Sequence, residues 1–333
     1  MIVIRDFIKK HRIKDPIVTI GNFDGIHIGH QKIFEALKAR AQEFRGTPTV
    51  ITFDPHPIKV LAPDRDIRLI TSTEDKIALL EAAGIKAVCI INFNREFAST
   101  EAEDFIKDIL VDKLRIKAII VGHGYVFGRA KGGNTELLRR RGRQYGFKVQ
   151  VVRYKRLKQG VASSSRIRQL IVKGKVSEAA SLLGRAYHIN GVVVKGTGRG
   201  KSILGIPTAN LNCSSELIPP EGVYAVKVSI RGEGKVFDAV ANIGNNPTFG
   251  NQFHTYEIHL LNYSGDLLGR ELRVHFIKHI RQERVFKTPE HLKGQILADI
   301  STAREIFITD KTPLFSVGTV SVNPYVGEYA AKS

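Results

Sequence analysis

Two histidines three residues apart, His27 and His30, stand in a turn crowded with glycines, GNFDGIHIGH over residues 21–30. At that spacing on the first turn of a helix the two imidazoles share a face. Both can donate to one oxyanion, more strongly if protonated. Gly21, Gly25 and Gly29 let the backbone turn sharply and approach a ligand closely, and Asn22, Asp24 and Gly25 end the apolar run before them. A helix start adds unpaired backbone N–H groups and the positive end of the dipole, worth about 0.3–1 kcal/mol to an anion before direct hydrogen bonds. The chemistry of such a turn is phosphate binding. Glu257, in the alternating run TYEIHL, is a carboxylate on a strand pattern that turns it away from Tyr256 and Ile258.

Elements that could position the histidines are visible on either side. Ile17, Val18, Thr19 and Ile20 form a short β-branched run, as in a strand buried on both faces. Ile33, Phe34, Leu37, Ala41 and Phe44 then recur at helical steps from about Gly29. Beyond them strand and helix alternate: strands over Thr49–Phe53, Ala87–Ile91, Ala118–Val121 and Val149–Val152, helices over Thr73–Ala83, Ala102–Leu114 and Asn134–Tyr145. This is an α/β pattern, a doubly wound parallel sheet with right-handed crossovers. Ligands bind such sheets beyond the carboxyl ends of the strands. Three loops there carry candidate groups. FDPHP follows the second strand, and its prolines predict a rigid extended turn holding Asp54 and His56 outward. VGHGYVFGRAKGG, residues 121–133, follows the fourth and contains Arg129. SSSRIR, from Ser163, follows the fifth, and its serines can cap a helix that carries Arg168.

After a small helix over Val176–Gly184 the texture changes. Short strand-like segments at Tyr187–Lys195, Val223–Ile230, Val236–Ile243, His254–Leu261 and Leu272–Ile277 predict a small antiparallel β-barrel, followed by a helix across Pro289–Phe307. The expected division is 1–184, 185–308 and a tail, 309–333, with no clear period. GTGRGKS at 196–202 looks like a phosphate-binding P-loop, but its first glycine lies one residue too close to GKS, and Gly205 and Pro207 fall where the required helix would run.

Composition bounds the rest. With 43% hydrophobic and 25% charged residues in 333, the chain has material for two cores. No apolar stretch reaches 18 residues, and residues 1–14 lack the apolar middle of a signal peptide, so the expected location is cytoplasmic and off the membrane. Cys89 and Cys213 lie apart with no CxxC, which argues against a disulfide framework or a structural zinc site. Fifty-one basic against 32 acidic residues give a formal charge of +19, concentrated at Arg139, Arg140, Arg141 and Arg143 and again at Arg153, Lys155, Arg156 and Lys158. No RNA-binding aromatic motif or KH-type loop accompanies these runs. They read as a solvated basic face suited to phosphate ligands, with a basic RNA-binding protein as the alternative. Composition is silent on oligomeric state.

HIGH resembles the signature of nucleotidyltransferases that attack the α-phosphorus of ATP, a superfamily shared with class I aminoacyl-tRNA synthetases. The longer GNFDGIHIGH is similar to the flavin adenylyltransferase half of bacterial riboflavin kinase/FAD synthetases, and PTAN at Pro207–Asn210 resembles the kinase half. This resemblance implies a two-step enzyme whose substrates and products are riboflavin, ATP, FMN and FAD, with Mg²⁺ as cofactor. It implies that His27 and His30 act at the adenylyltransferase site and that Asn22, Asp24, Gly25, Arg129, Ser164, Ser165 and Arg168 hold the nucleotide. Asp54, His56 and Phe127 would contact flavin. In the kinase, Thr208 and Asn210 would hold metal and phosphate oxygens, Gly196, Lys201 and Gly205 would form the arch over the nucleotide, and Glu257 would take the proton of the riboflavin 5′-hydroxyl. Arg281 and Glu283 would belong to a flap over the flavin. The kinase half departs from the family pattern in a longer arch, in Lys201 where Arg is common and in Leu268 where a tyrosine is usual, and the adenylyltransferase half departs at one position. Gly124 stands where the family usually carries Asp or Asn, which leaves a kinase with a nucleotide-binding-only first domain as the alternative.

Overall fold

The computed structural model describes residues 1–5, 13–153, 162–196, 205–246, 253–314, 316–317 and 320–321. It divides into two compact units, Met1–Ser163 and Ser164–Ser333.

The first unit is built on six parallel strands: β1 (Ile2–Arg5), β2 (Pro16–Ile20), β3 (Thr47–Asp54), β4 (Ala87–Asn92), β5 (Ala118–Gly122) and β8 (Lys148–Val152). Between the last two lies a small hairpin, β6 (Val126–Phe127) and β7 (Gly133–Asn134). The sheet order is β1-β4-β3-β2-β5-β8. From β2 the chain winds outward through β3 to β4, then returns to β5 beside β2 and continues to β8, so β2 and β5 flank the switch point where such sheets bind ligands. Every residue of β2 is buried, as its β-branched run requires. Helix α1 (Ile28–Glu43) packs Ile33, Phe34, Leu37 and Ala41 onto the sheet, and Phe44 falls just past its end as the C-cap.

Four differences from the sequence expectation concern this unit. A sixth strand, β1, pairs with β4 at the edge; its four residues alternate too briefly to register as a period. The FDPHP turn is not extended. After Asp54 the chain enters the short helix α2 (Pro57–Leu61), whose N-cap is His56, so His56 is buried rather than held outward. Helix α3 (Thr73–Ala82) begins at Thr73 as expected, with Ser72 as its cap, and a further turn, α4 (Arg95–Ala98), follows β4. The segment expected as one α-helix over Ala102–Leu114 starts as α5 (Ala102–Asp104) and continues as a π-helix over Phe105–Lys113. The wider π spacing keeps Phe105, Ile106, Ile109 and Leu110 buried, and periodicity alone cannot separate it from 3.6 residues per turn.

Helix α6 (Thr135–Tyr145) leads into β8. Its Arg139, Arg140 and Arg143 are exposed, while Arg141 grips Glu103 through two nitrogens, at 2.5 and 2.7 Å. The second basic run lies, apart from Arg153, outside the described residues. Cys89 is buried and free, its thiol pushed up to about 12 by burial, and Cys213 is free and half-buried.

The second unit opens with α7 (Ser164–Val172) and α8 (Val176–Leu183); Ser177 Oγ on α8 donates to the Ile277 carbonyl at 2.8 Å. The strands β9 (Tyr187–Val194), β10 (Ala209–Cys213), β11 (Gly222–Ile230), β12 (Val236–Asn246), β13 (Phe253–Leu260) and β14 (Glu271–Arg281) close a barrel in the order β10-β13-β12-β11-β14-β9. β10, which contains the last two residues of PTAN, was not apparent in the sequence because ANLNC has no run of β-branched residues. Tyr187, Tyr224 and Phe276 pack together inside the barrel. Helix α9 (Pro289–Thr309) lies outside it, with Ile300 and Ala303 against Val223, Ala225 and Val240.

Candidate functional sites

In the first unit the chain leaves β2 through a turn that few sequences tolerate. Phe23 (φ 49°), Gly25 (φ 81°) and Ile26 (φ 39°) all take left-handed backbone, which costs a β-branched or aromatic residue of order 1–3 kcal/mol. Packing holds them there. The Phe23 ring lies 5.1 Å from both His30 and Phe34, and Gly21 makes room for it, since a Cβ there would sit 3.0 Å from the ring. Asp24 ties the turn to a distant loop: its buried carboxylate accepts from the Ile70 and Thr71 N–H groups at 3.0 and 3.1 Å and from the Thr71 hydroxyl at 3.3 Å. Thr71 Oγ1 in turn accepts from Gly25 N–H at 3.1 Å. Asn22 is half-buried at the start of the turn, its carbonyl accepting from Thr52 Oγ1 at 3.3 Å.

The turn delivers the two histidines as a stacked pair, ring centroids 3.6 Å apart and 18° from parallel. His27 is the N-cap of α1, and its Nδ1 accepts the His30 N–H at 3.4 Å, so a neutral His27 carries its proton on Nε2. The His30 Nδ1 is buried with no hydrogen-bond partner. Burial first, then the charges of His27 and Lys76, hold His30 well below the ordinary histidine range. The donor this site offers at neutral pH from His30 is therefore an imidazole and not an imidazolium. The N–H groups of Ile28 and Gly29 at the helix start have no acceptor among the described residues, the arrangement a phosphate completes.

Other segments of this unit carry candidate side chains of two kinds. Asp54, at the end of β3, accepts from Thr73 Oγ1 at 3.1 Å and lies 3.6 Å from Arg5. His56 Nδ1 accepts the Ile58 N–H at 3.2 Å. Lys76, on the first turn of α3, is buried beside Asp24 and Asp54; a lysine on a helical pattern reads as a surface residue, and nothing in its local pattern marks it. The second kind is aromatic. Phe53, Phe93, Phe97, Phe105 and Phe127 form a chain of edge and tilted contacts at 5.6–6.2 Å, closed by Tyr125 stacked on Phe127 at 5.5 Å. Phe127 belongs to this row through the β6–β7 hairpin. Gly128 and Gly133 let that hairpin lie against Ala102, where added Cβ atoms would approach to 2.7–2.8 Å. Arg129 is exposed and its Nε lies 3.1 Å from Glu101. Gly124 has φ 79° with open space around it. Ser164, Ser165 and Arg168 stand on the first turns of α7, in the second unit.

In the second unit the barrel register puts three polar residues in one row. Glu257 on β13 pairs across to Asn210 on β10 and to Asn242 on β12. Asn242 in turn faces Val223, which packs under α9, so the row lies on the outer face of the barrel. Gly196 abuts this row: a Cβ there would come within 2.5 Å of Asn210 Cγ. Thr208 is half-buried just before β10, and the preceding Pro207 carbonyl is 2.7 Å from His259 Nδ1. Gly205 is exposed with φ 68°. Lys201 lies outside the described residues. Burial raises the Glu257 carboxyl above the usual carboxylate range, and the charge of Glu283 raises it further. Glu283 reaches the row across Gly244, where a Cβ would sit 2.5 Å from its Oε1. Arg281 is anchored instead to α9, with its guanidinium 2.8–3.1 Å from both oxygens of the buried Asp299.

Residues 9–166 match the family described as FAD synthetase, and residues 183–307 match that described as riboflavin kinase. The chain is 38% identical over 292 residues to the bifunctional riboflavin kinase/FMN adenylyltransferase of Escherichia coli K12, covering 87% of this chain and 92% of the relative. It belongs to the bifunctional riboflavin kinase/FMN adenylyltransferase family. The Bacillus subtilis member is 34% identical over 307 residues, covering 90% of this chain and 95% of its own. A crystal structure described as a macrolide-efflux protein from Streptococcus pneumoniae superposes with a TM-score of 0.84 at 30% identity, covering 91% of this chain and 99% of that one. No helix among the described residues of this family member is long and apolar enough to cross a membrane. The histidine turn, Lys76 and the aromatic row fall in the segment matching FAD synthetase. The Asn210–Glu257–Asn242 row falls in the segment matching riboflavin kinase, and residues 308–333 lie beyond both.

Proposed function

We propose that the barrel transfers the γ-phosphoryl group of ATP to the 5′-hydroxyl of riboflavin, and that the first unit joins the resulting FMN to the adenylyl group of a second ATP, giving FAD and pyrophosphate. The observation that carries the first step is Glu257, a carboxylate raised by burial and set in register between two asparagines. A carboxylate with a raised pKa is a better base for the hydroxyl proton, and phosphoryl transfer otherwise needs mainly positioning and charge neutralisation. The hydroxyl of Thr208 and the amide oxygen of Asn210 are neutral, hard donors, the kind that suits Mg²⁺ shared with nucleotide phosphates. The metal, when bound, neutralises charge on the β- and γ-phosphates. Among the described residues no cluster of histidine, cysteine or carboxylate offers a competing all-protein metal cage. Gly196 and Gly205 are assigned to the arch over the nucleotide, and Glu283 to the flavin side of the row.

In the adenylyl transfer an FMN phosphate oxygen forms the new bond to the α-phosphorus. The α–β bridging bond breaks, and pyrophosphate leaves with its electron pair. That nucleophile is already an anion at pH 7, so the site needs donors and not a base. His27 Nε2–H, His30 and the open N–H groups of Ile28 and Gly29 are such donors. Asp24 keeps the turn in shape, and Phe127 with the other rings of its row offers a stacking surface for the flavin. The assignment of Asn22, Gly25, Arg129, Ser164, Ser165 and Arg168 to the nucleotide, and of Asp54, His56 and Arg281 to flavin, rests on the family resemblance alone.

The test is a product assay with purified protein, riboflavin, ATP and Mg²⁺, separating FMN from FAD by chromatography. FAD supports both assignments; neither product overturns them. FMN alone selects the second reading, a kinase whose first unit binds nucleotide without transfer.

A further inference from the structure

Lys76 is one of the few buried charged side chains in the first unit, 4% exposed on the first turn of α3. A buried ammonium is costly unless it is paired, and a lysine in a core is normally found with its nitrogen against a carboxylate. Two carboxylates are near enough to act on it, Asp24 and Asp54, yet neither forms an ion pair with it within 4.0 Å, and its side chain has no hydrogen bond among the described residues. Both carboxylates are otherwise engaged. Asp24 holds the backbone of Ile70 and Thr71, and Asp54 takes the Thr73 hydroxyl with Arg5 nearby. The charge of Lys76 also acts on His30, whose buried Nδ1 has no partner. A buried imidazole nitrogen without a partner and a largely buried lysine without a side-chain hydrogen bond thus act on one another in the unit that holds the open N–H groups of the helix start.

We propose that Lys76 is a phosphate ligand of the histidine turn, its ammonium donating to phosphate oxygens that His27 and His30 address from the other side. The inference rests on the reading of that turn as an adenylyltransferase site. Its charge matters there for a simple reason: the reaction brings the FMN phosphate dianion against a triphosphate, and with His30 neutral the site needs a full positive charge to offset that repulsion. Burial lowers the Lys76 ammonium from the ordinary lysine range, and the charges of Asp24 and Asp54 offset part of that, so the same carboxylates that hold the loops work to keep it charged.

The experiment compares wild type with Lys76→Met and Lys76→Arg. FAD formation is measured from supplied FMN and ATP, inorganic pyrophosphate binding by titration calorimetry, and riboflavin phosphorylation by the barrel as an internal control of folding. The expected result for Lys76→Met is kinase activity within twofold of wild type, kcat/KM for FAD formation lowered at least 100-fold, and pyrophosphate bound at least tenfold more weakly; Lys76→Arg restores at least tenfold of the loss. FAD formation and pyrophosphate binding both within threefold in Lys76→Met overturn the proposal. So does an equal loss in both variants accompanied by a lowered Tm, which would make Lys76 structural. If wild type binds pyrophosphate but makes no FAD, the adenylyltransferase reading fails; weaker pyrophosphate binding by Lys76→Met then still upholds Lys76 as a phosphate ligand, and unchanged binding removes it.

Discussion

Gly196→Ala isolates the kinase row. The φ of Gly196 lies outside the left-handed region, so alanine fits the backbone and the whole effect comes from one methyl group. That methyl would stand 2.5 Å from Asn210 Cγ and closer still to its Nδ2, whereas ordinary contact begins at 3.4 Å, so the carboxamide must retreat by about 1 Å or leave its rotamer. Asn210 is the cross-strand neighbour of Glu257 and half of the proposed metal-binding pair. A displacement of about 1 Å in such a constellation costs roughly 100-fold in rate, about 2.7 kcal/mol in the barrier. The assay is the initial rate of FMN formation from riboflavin, ATP and Mg²⁺. FAD formation from supplied FMN reports on the first unit, and Gly234→Ala, whose Cβ would meet nothing within 4 Å, serves as a neutral control. A Gly196→Ala rate within threefold of wild type, with Gly234→Ala unchanged, would refute the placement of Asn210 in the site.

Three further outcomes are expected. Glu257→Gln lowers riboflavin phosphorylation by about 10²–10⁴-fold and leaves FAD formation from FMN intact, and the acid limb of the wild-type kinase profile lies above an ordinary glutamate because Glu257 is raised; a limb near 4 in steady-state pH–rate data contradicts this. His30 takes its proton in the unfolded chain near pH 6.5 but well below that when folded, so the unfolding free energy falls as pH drops below 6.5, by up to about 1.4 kcal/mol per pH unit until the folded value is reached. His30→Gln should flatten that stretch in urea melts, and an unchanged slope counts against the assignment. Arg281→Met removes the charge partner of the buried Asp299 carboxylate, leaving it the Gln295 amide, and costs about 3–5 kcal/mol; Arg281→Met with Asp299→Leu should recover most of it, and a single-variant loss under 1 kcal/mol by denaturant titration removes the pair as an anchor.

The strand–turn–helix around His27 was legible because strand and helix periods change abruptly there, and turn chemistry leaves no third choice for GNFDG. Glu257 was legible as a candidate site residue only through its flanking motif, because alternation gives a carboxylate a face but not neighbours; Asn242, its cross-strand neighbour on β12, is set by register, which no local pattern encodes. β1 and β10 escaped for a related reason, since short strands are stabilised by what they pair with more than by their own residues. His56 was read as facing outward because prolines suggest extended chain, whereas Pro57 is the first residue of a helix and the histidine caps it. Lys76 could not have been found: burial of a cation is decided by packing between α3 and two loops that are distant in sequence.

The Asp24 carboxylate spans 46 residues of chain to reach Ile70. It works as a rivet between the histidine turn and the start of α3, and the stretch from Pro63 to Asp66, between α2 and that rivet, is exposed. Surface changes in that stretch can therefore vary in length and charge without being felt by the histidines, as long as the fastening at Ile70 and Thr71 holds. Loosening the fastening releases both ends at once, so the Gly25 N–H and the ammonium of Lys76 would lose their registration together. Amide exchange should mark this directly, with the Ile70 and Thr71 protons slow beside fast neighbours at Asp64–Asp66.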